Sequence, residues 1–275
     1  MNVPNIARWV VFVVAAFAMN FPVIATLVTA FKTPADIASN ASLIPTAVTF
    51  ENFKTVFTVS DRLNIWAYLW NSLSASLIGA ILPILLSLPL AYAIARRDYG
   101  RAVLLPLVVN LRAMPLIIFA IPLYMMYQTL GLLDTRIGLG LILAVVNLPL
   151  ALVLLVNAVA EIPREIDEAA LMDGTRTKRI LSHLVLPLIR PALATTFVFG
   201  FMTAWNEFLF GLMLTTRAAV PVTVGASFFF SAGGGGVQWG VAAAVIVVAS
   251  APPVLLGLFM YRQIGRSMLA GAVKG

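Results

Sequence analysis

Apolar positions in this chain gather into six long blocks, near residues 9–31, 71–95, 103–127, 137–160, 192–216 and 238–261. At ~1.5 Å of helical rise per residue, blocks of roughly this length cross a ~30 Å hydrocarbon layer, so the pattern predicts six transmembrane helices in an all-α membrane protein. Most blocks contain helix breakers: Pro83 and Pro89, then Pro106, Pro115 and Pro122, then Pro149, and finally Pro252 and Pro253. A broken turn in lipid needs partners for its freed carbonyls, so these helices are expected to pack against protein or a wet cavity. Between the blocks lie three longer polar stretches. Residues 32–66 read as a connector or a short helical ledge, 217–237 ends in the flexible run Gly233–Gly236, and 161–191 carries five of the eleven acidic residues.

Composition supports the same class. Hydrophobic residues make up 61% and charged ones 11%, where soluble domains carry about a quarter charged. With no soluble module between the blocks, residues 1–275 read as a single transmembrane domain. The N-terminal block is too long for a signal-peptide core and lacks a small-residue cleavage site, so it is expected to remain as an anchor. The net charge of +7 would suggest nucleic acid in a soluble protein. Here the basic residues sort by side instead, and no nucleic-acid partner is expected. With both termini inside, the inner side receives twelve Lys and Arg, among them Arg96, Arg97, Arg164 and Arg179. The outer side receives five: Lys32, Lys54, Arg62, Arg136 and Arg217. Positive charge favours the cytoplasmic face, which fixes the expected orientation. There are no cysteines and a single histidine, which excludes disulfides and leaves no zinc site.

Segment 161–191 is the polar centre of the chain. Pro163 suits the start of a helix, and Glu165, Asp167 and Glu168 load its first turn, where the helix dipole favours negative charge. Gly174 is expected to stop that helix in a left-handed conformation, Thr175 to cap a second one, and the second to end before Pro187. Ala169, Ala170, Leu171 and Met172 run apolar through this water-facing connector, so some partner should cover at least one face.

Glu168-Ala169-Ala170, Gly174, Leu184, Leu186 and Pro187 reproduce the spacing EAA-x3-G-x9-[IL]-x-LP. This resembles the cytoplasmic coupling loop of bacterial ABC importer permeases. Leu130–Thr135, Trp205-Asn206-Glu207 and the terminal Ala270–Gly275 are similar to the maltose-type carbohydrate branch, and the similarity covers essentially the whole chain. The resemblance implies the type I importer fold and a bacterial inner-membrane location. It implies a sugar, oligosaccharide or polyol as solute, with a second homologous permease, two ATPase subunits, an external solute-binding protein and membrane lipid as partners. It implies that Glu168, Ala169, Ala170, Leu171, Met172, Asp173 and Gly174, with Leu184 and Pro187, dock the ATPase. The tail residues Gly271, Ala272, Val273, Lys274 and Gly275 would reach the ATPase dimer interface.

Nothing in the chain cradles nucleotide phosphates; Gly174-Thr-Arg-Thr-Lys178 suggests a phosphate loop only superficially. ATP and Mg are therefore expected on a partner, with no cofactor and no catalytic residue here. Replacing Gly174 with a bulky residue is expected to abolish transport and leave insertion intact. Glu207 stands about 15 residues into the fifth block, roughly 23 Å deep at ~1.5 Å per residue. An intramembrane carboxylate defaults to a functional hypothesis. Thr196, Gly200, Thr203, Glu207 and Gly211 share helical spacing and predict one small polar face, with Asn206 beside it. Arg112 belongs to the third block, too far from Glu207 in depth for a direct bridge. These residues leave open a pathway role, a hydrogen-bond network between helices, and a rival reading as a self-contained transporter or channel. Ser182 and His183 are adjacent; helical neighbours diverge by about 100°, so no nucleophile–base pair is expected.

Overall fold

The computed structural model describes residues 5–60, 63–112, 114–231 and 236–272. The described chain is helical, with no strand beyond an isolated bridge between Lys32 and Val48. Four helices are long and apolar enough to span a membrane, and six spans result if two sharply bent helix pairs count as one each.

Two compact units emerge, Met1–Trp66 with Gly225–Ala251, and Ala67–Val224 with Pro252–Gly275. In the first, α1 (Asn5–Ala30) exposes its apolar surface. Two short helices follow, α2 (Pro34–Ser39) and α3 (Glu51–Phe57). They form a built ledge rather than a loose connector. Buried Lys32 donates from Nζ to the carbonyls of Asn40 and Ser42 at 2.9 and 2.5 Å, and Asn52 donates to those of Ala30 and Lys32 at 2.9 Å. The Asp36 carboxylate gathers Asn40 and Thr46. These bonds satisfy the polar groups the ledge buries.

The second unit is organised on α4 (Ile65–Arg97) and α7 (Arg136–Ala160). Between them, the third predicted block forms two pieces rather than one helix. These are α5 (Leu104–Leu111) and α6 (Ala120–Thr129), the latter preceded by a 3-10 turn at Leu116–Phe119. Pro115, which cannot donate to the preceding turn, stands at the break. Glycines let the helix axes approach: a Cβ on Gly79 would lie 2.8 Å from that of Leu143, and one on Gly140 2.7 Å from Ile78. Asn147, inside the apolar run of α7, donates to the carbonyls of Gly79 and Gly200 at 2.9 and 2.8 Å.

Past Ala160 the chain forms α8 (Arg164–Met172), α9 (Thr177–Ile180), a π turn (Leu181–Val185) and α10 (Leu186–Leu188). Then α11 (Arg190–Trp205) leaves at 78° to the α9–α10 rod. Pro187 does not end the second coupling-loop helix; it lies inside α10. Its missing N–H is absorbed by the π turn just before it, where Leu186 N–H reaches back five residues to Leu181 O. The fifth block is not one helix to residue 216: α11 ends at Trp205, and α12 (Leu209–Leu214) starts afresh. The remaining helices are α13 (Val222–Phe228) and α14 (Trp239–Ala272).

Candidate functional site

The helix α8 is stopped by a left-handed glycine. Gly174 has φ +75°, its N–H bonds Leu171 O at 3.0 Å, and Thr175 N–H bonds Ala170 O at 3.0 Å. That pair of bonds defines a Schellman stop. The next helix begins at Thr177, with Arg176 at its N-cap position and no side-chain cap, so Thr175 serves the end of α8 and not the start of α9. Ile166, Ala169 and Met172 repeat at helical spacing and form a solvent-facing apolar stripe. Met172 is 88% and Leu171 50% exposed, and exposed Glu168, Asp173 and Gly174 flank them. A nine-residue helix does not hold such a stripe in water for its own packing, which marks it as a surface made to be covered.

Its inner face is anchored. Ala170 and Leu184 pack on a buried cluster of Ile94, Leu152, Leu155, Val159, Ile180 and Val185. Asp167, expected to serve the helix dipole, is buried and forms an ion pair with Arg96 at the end of α4; each side chain is 7% exposed. Arg96 also donates to Ile162 O at 3.0 Å, and Arg164 returns a longer bond to Ala95 O at 3.4 Å. At its start α8 borders a cleft of 610 Å³ lined by Ile162, Pro163, Ile166, Leu188, Ile189 and Pro191, with Ile166 of the stripe at its edge.

The fifth-block residues are redistributed by the helix break. Asn206 caps the end of α11, its side chain donating to Met202 O at 2.8 Å. The Glu207 carboxylate turns onto the first amides of α12, accepting from Phe210 at 3.0 Å and Gly211 at 3.3 Å. Glu207 and Gly211 therefore do not continue the face of Thr196, Gly200 and Thr203. Arg112 ends α5 with an exposed side chain, and no ion pair joins it to Glu207 among the described residues. The pair Ser182 and His183, expected to diverge, meets at 2.7 Å between Oγ and Nδ1. Ser182 Oγ also lies 3.0 Å from Lys178 O, an ordinary helical back-bond. The backbone of α14 runs helically through Gly271 and Ala272, where a flexible tail was expected, and Val273, Lys274 and Gly275 lie outside the described residues.

Two anchors escape a reading of the sequence. One is Asn147, whose only signal was a polar residue inside an apolar block. The other is Asp134, at φ +55° in the turn before α7, whose carboxylate accepts from the amides of Thr216, Arg217, Ala218 and Ala219 at 2.9–3.1 Å. Beside it Asn71 accepts from Arg136 at 2.7 Å and donates to Ala218 O and Val220 O.

Apolar helices of spanning length with a short anchored helix on one polar loop define a helical membrane protein. The chain belongs to the binding-protein-dependent transport system inner membrane component family, whose profile matches residues 84–270. Among its relatives is the diacetylchitobiose uptake system permease protein DasC of Streptomyces coelicolor, 32% identical over 78% of this chain and 76% of that one. The trehalose transport system permease protein SugB of Mycobacterium tuberculosis is 31% identical over 88% of each. The fold matches a chain of a bacterial ABC transporter involved in the import of the acidic polysaccharide alginate. The TM-score is 0.78 and the identity 23%, covering 94% of this chain and 95% of that one.

Proposed function

We propose that this permease carries a sugar, oligosaccharide or polyol inward, driven by ATP hydrolysed on partner subunits. Both termini and α8 face the cytoplasm. The partners are a second permease, two ATPase subunits that hold ATP and Mg, and an external solute-binding protein. The observation that carries this reading is the apolar stripe of Ile166, Ala169 and Met172, exposed on a helix whose opposite face is bolted down. A groove on the ATPase covers that stripe, with Leu171 and Glu168 at its edges, and Gly271–Gly275 supply a second contact. Closure of the ATPase dimer moves the groove, α8 follows as a lever, and access to the pathway alternates with no covalent chemistry on this chain. Carbohydrate as the solute class draws support from relatives named for diacetylchitobiose and trehalose.

A self-contained transporter using Glu207 and Arg112 loses its motivation. The carboxylate is occupied by the α12 amides, and the guanidinium is exposed at the end of α5. Purification through a tag on this chain is expected to bring an ATPase with it, and Met172→Glu to release that ATPase while this chain stays membrane-inserted. Retention of the ATPase by Met172→Glu, or solute flux by the chain alone without ATP, would overturn the proposal.

A further inference from the structure

Two routes lead from α8 into the bundle, and they differ in stiffness. The covalent route runs through Gly174, the short α9, a π turn, Pro187 and a 78° bend before α11 begins. Along it a 610 Å³ cleft opens between the end of α7 and the α10–α11 bend, with Ile166 of α8 at its edge, while Ile180, Val185 and Ile189 pack into the core cluster. The non-covalent route runs to α4. The Arg96–Asp167 ion pair is buried, and Arg96 also holds the carbonyl of Ile162 at the entry to α8. The Arg164–Ala95 bond closes the same junction from the other side. A buried pair broken at one partner strands a charge, so this contact has a steep well and resists displacement. On the covalent route the π turn at Leu181–Val185 and the missing N–H of Pro187 interrupt the regular hydrogen-bond ladder, which makes it the weaker of the two.

We infer that α4 is the output arm of α8: the ion pair makes α8 and the end of α4 move as one body, and the segment 174–189 bends to allow it. Arg96 and Asp167 are then positioning residues of the transport cycle. Asn147 completes the train, because it joins α4 at Gly79 to α11 at Gly200 and so carries motion of α4 into the middle of the bundle. This rests on the lever reading above and adds which helix the lever drives.

The chain has no cysteine, so spin labels attach to it only where cysteines are introduced. In the importer purified whole and held in lipid nanodiscs, one label pair is placed at Tyr99 and Glu165, a second at Glu165 and Leu188. Distances are measured without nucleotide and after trapping with MgATP and vanadate. The first distance is expected to stay constant and the second to change by more than about 3 Å, roughly half a helical pitch. Asp167→Asn is expected to make the first distance nucleotide-dependent and lower transport at least tenfold. The exchange Arg96→Asp with Asp167→Arg keeps the pair but loses the bond to Ile162 O, and Arg96→Lys keeps the charge; each is expected to restore both in part. If the Tyr99–Glu165 distance shifts in the unaltered chain as much as the other, or if Asp167→Asn transports within twofold of normal, the output arm is not α4. If Asp167→Asn fails to assemble, the distances in the unaltered chain decide alone. If neither distance responds while ATP is hydrolysed, the lever itself fails and the proposed function falls with it.

Discussion

Asp134 concentrates the fastening of a whole loop in one carboxylate, which makes it the sharpest test of how residues 216–219 are held. Burial pushes this carboxyl up, yet the amides of Ala218, Thr216, Ala219 and Arg217 outweigh that and hold it at about 2, from an ordinary 3.8. That displacement corresponds to about 2 kcal/mol at ~1.36 kcal/mol per pH unit. Partial solvent exposure screens the site and leaves about 1–2 kcal/mol. Because the folded-state value is depressed, the stabilisation is complete above about pH 4 and is lost as pH falls through 2. Asp134→Asn isolates the charge. Asn tolerates the left-handed conformation at φ +55° and keeps the shape, but it turns an amino group onto amides that can only donate. Hydrogen exchange of 216–219 in detergent micelles at pH 7 should then quicken about 5–30-fold, the factor for 1–2 kcal/mol. Amides in the middle of α7 should not change. Unaltered exchange of 216–219 in Asp134→Asn, or loss of their protection in the unmodified protein already at pH 4, would refute the assignment.

Three further expectations follow from the same geometry. Glu207→Gln should keep solute uptake within twofold, while Glu207→Ala should lower the thermal stability of the purified protein by about 0.5–2 kcal/mol, as loss of a helix cap does; abolished uptake in a stably folded Glu207→Gln would restore the pathway role. Nothing lies within 4 Å of a Cβ at Gly174, so backbone handedness rather than bulk decides there. Gly174→Asn should transport nearly normally and Gly174→Val poorly, at a cost of about 1–2 kcal/mol for the left-handed turn, with uptake in vesicles as the measure. Asn147→Leu keeps the volume and removes two interhelical bonds, and should cost about 1–3 kcal/mol by thermal melting.

The membrane class and the position of α8 were legible because they rest on one-dimensional signals: apolar blocks of spanning length, and a glycine with acidic residues ahead of it. What the pattern hid were residues that satisfy a local rule and serve a distant partner at once. Arg96 fitted the excess of positive charge at a cytoplasmic helix end, and Asp167 fitted a helix dipole. Neither assignment hinted that the two meet across a separation of 71 positions, since charge statistics carry no information about which pairs are buried. Glu207 failed in the opposite way. Helical spacing joined it to Thr203 and Gly211, but three-and-four spacing assumes an unbroken helix, and no proline or glycine between Trp205 and Phe208 announces the stop. The carboxylate itself explains the restart, because an acceptor placed ahead of Phe210 and Gly211 satisfies the amides that a new helix leaves open. An acid inside an apolar block therefore has two physical readings, a group facing a pathway or the cap of a helix that begins there. Only the direction of its hydrogen bonds separates them, and here they point into its own chain.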